Sequence, residues 1–161
     1  MIFSEIEIMK SKCFEARVLT LFPEMFPGPL SYSLAGKAME NKIWNLNAIN
    51  IRDYAEDKHG TVDGEPYGGG AGMIMRPDVL GRAFDENNPG REWKKIILTP
   101  RGKPLTQKKV REISSKPGVI IVCGRYEGID ERFISSRSLD EICIGDYILS
   151  GGEPAALILI D

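Results

Sequence analysis

A short, continuous apolar run at residues 119–122 restricts the fold more than any other feature of the chain. All four residues are β-branched (Val-Ile-Ile-Val), with Gly118 before the run and Gly124 just after it. Such a run predicts a strand that is buried on both faces, as in a parallel sheet covered by helices. We therefore expect an α/β fold in which this strand lies centrally.

Charged and aromatic residues follow this strand. Arg125, Tyr126 and Glu127 lie between Gly124 and Gly128, and a second glycine-rich stretch occupies residues 144–153. Open α/β sheets bind ligands at the carboxyl ends of their strands. A solvated turn is the alternative for either loop alone, but the presence of two such loops favours a ligand site. Glycines let a ligand approach the main chain, whose hydrogen-bond donors and acceptors suit the edge of an adenine ring. The apolar side chains of Ile144, Tyr147 and Leu149 could cover the faces of that ring.

The composition excludes several classes of protein. The 161 residues suffice for one domain, and a net charge of −2 argues against a generic nucleic-acid binder, whose pI usually exceeds about 9. The three cysteines lack a Cys-x-x-Cys spacing, and a single histidine makes a zinc site improbable, so no metal is expected. The first ten residues carry acids where a signal peptide carries bases, and we expect a cytoplasmic protein without a membrane span.

The periodicity predicts alternating strands and helices. Besides the central one, strands are expected at 16–22, 46–51, 94–98 and 141–149, the last interrupted by Gly145 and Asp146. Residues 99–102 are expected as a terminal loop after 94–98. Helices are expected from Pro23, at 32–41, from Pro77, at 106–116 with Thr106 as cap, at 129–136, and near the C-terminal end. Ser150 and Glu153 have the spacing of a capping box, whereas Pro154 favours a later start, so both remain open.

Two regions allow both a functional and a structural interpretation. Residues 53–75 contain glycines from 68 to 72, yet match neither a phosphate-binding loop with Gly-Lys-Ser/Thr nor the dinucleotide fingerprint. This stretch is either functional or a flexible linker. A basic patch is expected either to contact nucleic acid or to form an ordinary solvated face; its members are Arg101, Lys103, Lys108, Lys109 and Arg111.

Three motifs together resemble those of the bacterial tRNA (guanine-N1)-methyltransferases of the SPOUT class. They are Pro-Tyr-Gly-Gly-Gly-Ala-Gly-Met at 66–73, Gly-Arg-Tyr-Glu-Gly-Ile-Asp-Glu-Arg at 124–132, and Ile-Gly-Asp-Tyr-Ile-Leu-Ser-Gly-Gly-Glu at 144–153. The resemblance covers nearly all of residues 17–161. It implies an N-terminal extension at 1–13 and an S-adenosylmethionine-binding domain at 14–161, with the family's C-terminal tRNA-binding domain absent.

The resemblance also implies a fold, a reaction and partners. The fold is a parallel sheet flanked by helices with a C-terminal trefoil knot, which sequence reasoning alone would exclude as rare. The reaction transfers a methyl group from S-adenosylmethionine to N1 of guanine 37 in tRNA, in a homodimer. The implied donor contacts are Thr99, Pro100, Gly124, Tyr126, Glu127, Gly128, Ile144, Gly145, Asp146, Tyr147, Ile148, Leu149, Gly151 and Gly152.

The resemblance gives the remaining residues narrower roles. Glu127 and Arg125 are candidates for positioning, while the family's base and guanine-supporting arginine would lie beyond Asp161. The glycines that would approach the guanine are Gly68, Gly69 and Gly70. His59 and Asp63 are interpreted as organising their loop rather than as catalytic.

The sequence leaves three candidate functions. We expect a donor-binding fragment of the methyltransferase that does not methylate tRNA at a useful rate by itself. A non-catalytic module that binds S-adenosylmethionine or RNA is the alternative. A nucleotide-dependent dehydrogenase is a distant third, because the dinucleotide fingerprint is missing.

Overall fold

The computed structural model describes residues 13–161 and contains one parallel five-stranded sheet. Its strands are β1 (Phe14–Thr20), β2 (Trp44–Asn50), β5 (Lys94–Pro104), β6 (Gly118–Cys123) and β7 (Asp140–Cys143), with two-residue strands β3 (Asp63–Gly64) and β4 (Ile74–Met75) paired antiparallel elsewhere. The order across the large sheet is β2-β1-β6-β5-β7, and every neighbouring pair is parallel. The predicted α/β class with a parallel sheet is therefore confirmed.

Helices cover both faces of the sheet. They are α1 (Ser33–Glu40), α2 (Pro77–Asn87), α3 (Gln107–Ser114), α4 (Glu131–Arg137) and α5 (Glu153–Ile160), with short 3₁₀ turns at Pro23–Met25, Gly28–Ser31 and Ile51–Tyr54. Ile120 and Val122 of β6 pack toward α2 and α4, while Val119 and Ile121 pack toward α3 and α5. All six residues of β6 are buried, so this strand is central, as its composition predicts.

The helix ends follow local capping. Thr106 accepts a hydrogen bond from the Lys109 amide and starts α3, as expected from its position in the sequence. Asp130 does the same for α4 through the Arg132 amide, so this helix starts at Glu131 rather than at residue 129. The capping box between Ser150 and Glu153 does not form. Helix α5 begins at Glu153, one residue before Pro154, and lacks a side-chain cap because its N-cap residue is Gly152. The Glu153 carboxylate accepts a hydrogen bond from Thr20 in the core instead.

Two strand predictions were wrong in their extent. β7 ends at Cys143, and no strand continues through residues 144–149. β5 does not end at residue 98: the chain bulges between Leu98 and Lys103 and then pairs with β7 again, Lys103 opposite Ile142. At Gly102 an added Cβ would lie 2.6 Å from the Glu141 carbonyl carbon, so glycine permits this close crossing. Residues 99–102 are thus a bulge within β5 rather than a terminal loop.

The extension predicted at 1–13 falls, except for Cys13, outside the described residues. Between residues 13 and 161 we find no helix with the length and apolar character that crossing a bilayer requires. Across the same residues, no group of three or more histidine, cysteine or acidic side chains is arranged to hold a metal ion.

Candidate functional site

A cleft of about 370 Å³ lies at the carboxyl ends of β5, β6 and β7. Its walls come from the bulge at 99–102, the loop at 124–128 and the loop at 144–152, which are far apart in sequence. Parallel strands bring their carboxyl ends to one edge of the sheet, and this brings the three loops together. The structure thus joins the loops that the sequence singled out separately.

Thirteen of the fourteen residues predicted to contact a methyl donor line this cleft, and Asp146 does not. Glu127 and Arg125, the two positioning candidates, also lie in its walls. Gly68, Gly69 and Gly70 are not part of the lining. Which of these residues touch a ligand remains a prediction.

The Arg125 side chain makes its contacts with the protein itself. Its Nη2 lies 2.8 Å from Oε2 of Glu153, at ion-pair distance but without the angle of a hydrogen bond, so the contact is chiefly electrostatic. Its Nη1 donates to the Ser150 carbonyl at 3.2 Å, and its guanidinium lies 4.4 Å from the centre of the Phe22 ring. These contacts favour a role in holding the cleft walls over contact with a substrate.

Glu153 completes a buried network that sequence reasoning missed. The Glu153 side chain has no exposed surface, and its Oε1 accepts a hydrogen bond of 2.7 Å from the Thr20 hydroxyl. Thr20 ends β1 and is itself fully buried. The network of Thr20, Glu153 and Arg125 therefore ties the ends of β1 and β6 to the start of α5. In the sequence, the one sign of this network is a glutamate at the start of an otherwise apolar helix.

The glycines in the cleft walls are of two kinds. At some of them an added Cβ would clash with the protein itself, whereas at Gly128 the space is open. At Gly151 an added Cβ would meet the Arg125 guanidinium, and at Gly145 it would meet the Tyr147 ring. At Gly152 it would lie 2.7 Å from the Cys123 Cα. At these three positions the protein's own packing requires glycine. Gly128 differs, with φ of +127° and no atom within 4 Å of an added Cβ.

Tyr126 adopts a left-handed backbone conformation, with φ of 58°. This conformation is uncommon for a residue with a side chain, and in the described chain it is shared by Ser33, Lys42 and Ser138. Flanking hydrogen bonds hold it in place: the Gly128 amide donates to the Arg125 carbonyl, and the Glu127 amide donates to the Met73 carbonyl at 3.0 Å. The loop therefore presents the half-exposed Tyr126 ring at the cleft.

The glycine-rich segment docks against this same loop. Besides the Met73 contact, the Met75 amide donates to the Gly128 carbonyl at 3.1 Å, and an added Cβ at Gly72 would lie 2.5 Å from Glu127 Cγ. These contacts support the functional interpretation of residues 53–75 over that of a flexible linker.

Asp57 organises the first half of that segment, a role that sequence analysis did not assign. Its carboxylate accepts hydrogen bonds from the His59 amide and from the amide and hydroxyl of Thr61. The Thr61 hydroxyl bond is the main reason that the pKa of Asp57 lies below its usual value. His59 contributes its amide to this turn, and Asp63 lies in β3, where it pairs with Met75.

The basic patch is partly neutralised within the domain. Arg101 pairs with Glu131 and Glu141, and these two carboxylates raise its pKa. Lys109 lies 3.1 Å from Asp140 and 3.3 Å from Glu112. Lys103, Lys108 and Arg111 are exposed. A patch shared with so many acids favours the solvated-face interpretation.

The described cysteines are free thiols. Burial raises the pKa of the Cys123 thiol well above its usual value, and the nearby Glu153 carboxylate adds to this effect. Cys123 is fully buried in β6, whereas Cys143 lines the cleft and lies 3.0 Å from the Gly145 carbonyl. The neutral, enclosed Cys123 is therefore a packing residue.

Comparisons with known proteins bear on this cleft. The family model described as tRNA (Guanine-1)-methyltransferase TrmD matches residues 14–161. A curated tRNA (guanine-N(1)-)-methyltransferase of Mesorhizobium japonicum is 60% identical over 149 residues, which cover 92% of this chain and 64% of the relative. Proteins of the same name from Rhizobium etli and Zymomonas mobilis are 57% and 56% identical, over 92% and 94% of this chain.

The matched region is only part of these relatives. The chain spans 64% of the length of the Rhizobium etli protein and 61% of the Zymomonas mobilis protein. The family match itself extends from β1 to the last described residue and includes all three cleft loops. The chain therefore belongs to the tRNA (Guanine-1)-methyltransferase family, as the three motifs predict.

Proposed function

We propose that this chain forms the methyl-donor-binding part of a tRNA methyltransferase that transfers a methyl group from S-adenosylmethionine to N1 of guanine 37 in tRNA. The observation that carries the proposal is the meeting of three separate loops around one cleft, in a chain whose relatives bear this enzyme's name. A non-catalytic module that binds S-adenosylmethionine or RNA is the alternative, and the enzyme name of the relatives favours the methyltransferase.

The cleft suits such a donor in size and chemistry. A volume of about 370 Å³ lies within the usual range of small-molecule sites, roughly 300–1,000 Å³. Ile144, Tyr147 and Leu149 offer apolar surface for an adenine ring, and no side chain blocks the approach to Gly128, where an added Cβ would have no atom within 4 Å. These residues, with Thr99 and the other lining residues named above, would hold the donor.

The chain's residues contribute positioning rather than covalent chemistry. Bound S-adenosylmethionine supplies a methyl group that its sulfonium already activates. Catalysis then depends on holding the guanine N1 in line with that methyl group, removing the N1 proton and stabilising charge on O6. We assign the positioning of the guanine to Glu127, which lies at the cleft and is held through Met73. Gly68, Gly69 and Gly70 would allow the base to approach their loop closely.

The proposal includes the knotted topology, a homodimer and a cytoplasmic location. Symmetric dimers are the commonest oligomers, and apolar side chains next to the cleft are available for a second copy. Ile148 is 86% exposed, and Tyr147 and Ile158 are each about half exposed. Sedimentation at micromolar concentration would show a dimer, and a clean monomer there would contradict this part of the proposal.

Replacing Gly124 with alanine tests the donor site directly. An added Cβ would meet only Ile129, at an ordinary 3.6 Å, so the free energy of unfolding should change by no more than about 0.5 kcal/mol. If a ligand lies against the main chain at Gly124, the same methyl group should weaken binding of S-adenosylmethionine at least severalfold. Calorimetry measures the affinity. An unchanged affinity would remove Gly124 from the site, and no binding by the unmodified chain would contradict the proposed function.

Transfer of labelled methyl tests the reaction. We expect the full-length Mesorhizobium relative, given S-adenosylmethionine, to label a tRNA transcript with guanine at position 37 and not one with adenine there. This chain is assayed beside it. If both proteins bind the donor and the relative transfers the methyl group, the region that they share has a donor-binding role. Transfer by the relative without donor binding by this chain contradicts it.

A further inference from the structure

An exposed aromatic side chain in the glycine-rich segment is held in a fixed stack. The Tyr67 ring is 84% exposed, and the Cζ of Arg132 lies 4.4 Å from its centre. An isolated exposed tyrosine is ordinary on a protein surface. Here one face of the ring is in contact with a guanidinium while most of the side chain remains open to solvent.

The Arg132 guanidinium is held in place by the Asp130 carboxylate. Arg132 Nε donates to Oδ1 of Asp130 at 2.9 Å, and its Nη2 lies 2.6 Å from Oδ2, which is the two-pronged geometry that fixes the plane of an arginine. The Asp130 side chain is only 8% exposed and also caps α4. The order Asp130, Arg132, Tyr67 is therefore a stack with a rigid base and a solvent-facing outer ring.

The surroundings of Tyr67 leave room for a flat ligand. Gly68, Gly69 and Gly70 follow it, all with positive φ, and an added Cβ at any of them would have no atom within 4 Å. The segment is tied to the cleft loop through the Met73 and Met75 hydrogen bonds. The exposed Tyr67 ring thus lies on the same glycine-rich segment that contacts the Glu127 loop.

We propose that Tyr67, backed by Arg132, is a stacking platform for a nucleobase next to the target guanine in a single-stranded RNA loop. The inference rests on the proposed function and extends it to a site outside the donor cleft. Single-stranded RNA is recognised largely by stacking of unpaired bases on aromatic rings. Because Asp130 already pairs with Arg132, the platform attracts a base through its face rather than a phosphate through its charge.

Fluorescence of 2-aminopurine tests this platform. The probe is an RNA hairpin whose unpaired loop carries the target guanine with 2-aminopurine beside it, and stacking on tyrosine quenches its emission. We expect quenching by the chain in the presence of S-adenosylhomocysteine and by Tyr67→Phe, which keeps the ring. Tyr67→Ala should abolish the quenching and weaken RNA affinity by roughly 5- to 150-fold, the usual worth of one stacked base.

The controls separate this inference from the proposed function. Affinity for S-adenosylhomocysteine, measured by calorimetry, should be the same for the chain and for Tyr67→Ala, because Tyr67 does not line the cleft. Quenching that survives in Tyr67→Ala, or a chain that does not quench the probe, would overturn the platform. Loss of S-adenosylhomocysteine binding by the unmodified chain would instead overturn the proposed function, whatever the quenching shows.

Discussion

Replacing Glu153 with alanine is expected to lower the free energy of unfolding by about 3 kcal/mol. Removing one partner of a buried ion pair typically costs about 3–5 kcal/mol, since the other charge is left without compensation. The Arg125 side chain keeps 18% of its surface exposed, which places the expected value at the lower end. The substitution also leaves the buried Thr20 hydroxyl without its acceptor. Urea unfolding followed by circular dichroism measures the change.

A double-mutant cycle identifies the ion pair as the cause. Arg125→Met combined with Glu153→Gln removes both charges, so the pair of changes should cost clearly less than the sum of the two single changes. Alanine at Glu92, an exposed residue, provides a matched control and should change stability by less than about 0.5 kcal/mol. Additive costs at Arg125 and Glu153 would show that the two side chains do not stabilise each other.

Replacing Gly152 with alanine is expected to disturb both stability and donor binding. The new Cβ would lie 2.7 Å from the Cys123 Cα and 3.0 Å from the Gly124 nitrogen, and neither backbone atom can move aside as a flexible side chain would. Overpacking of this kind costs about 1–3 kcal/mol. It should also break the 3.0 Å hydrogen bond from the Gly152 amide to the Gly124 carbonyl and so displace one cleft wall from another.

Calorimetry and urea unfolding on the same preparation test this second expectation. Gly124→Ala serves as the control for stability alone, because it adds the same methyl group to another cleft-wall glycine without a close contact. Gly152→Ala should lose more stability than Gly124→Ala. Equal stability of the two variants would show that the backbone at Gly152 can relax, and the assigned role of this glycine would be wrong.

The features that could be predicted from sequence are those set by neighbouring residues. The central strand at 119–122 is apolar and β-branched, and Thr106 caps the following turn, so both follow from local chemistry. The carboxyl-end rule then places the loop at 124–128 and the loop at 144–152 at one edge. The family resemblance adds a prediction of which residues contact the donor, which periodicity does not supply.

The features that sequence analysis missed depend on partners far along the chain. Thr20 and Glu153 are 133 residues apart, and their contact places the Glu153 carboxylate in a buried network rather than in the capping box that its spacing allows. The second half of β5 forms because β7 is beside it, and nothing between residues 99 and 104 signals that neighbour. Gly151 and Gly152 likewise pack against Arg125 and Cys123, more than 25 residues earlier in the chain. These contacts can be found only from the three-dimensional structure.

The central position of β6 links occupancy of the cleft to the folding of the whole domain. β6 pairs with β1 on one side and β5 on the other, and the cleft has complete walls only when β7 has joined β5. A ligand that binds this cleft therefore binds only the folded chain, and mass action then shifts the unfolding equilibrium of every strand together. Amide hydrogens in β6 should consequently exchange with solvent only through global opening, and a bound ligand should slow that exchange throughout the sheet.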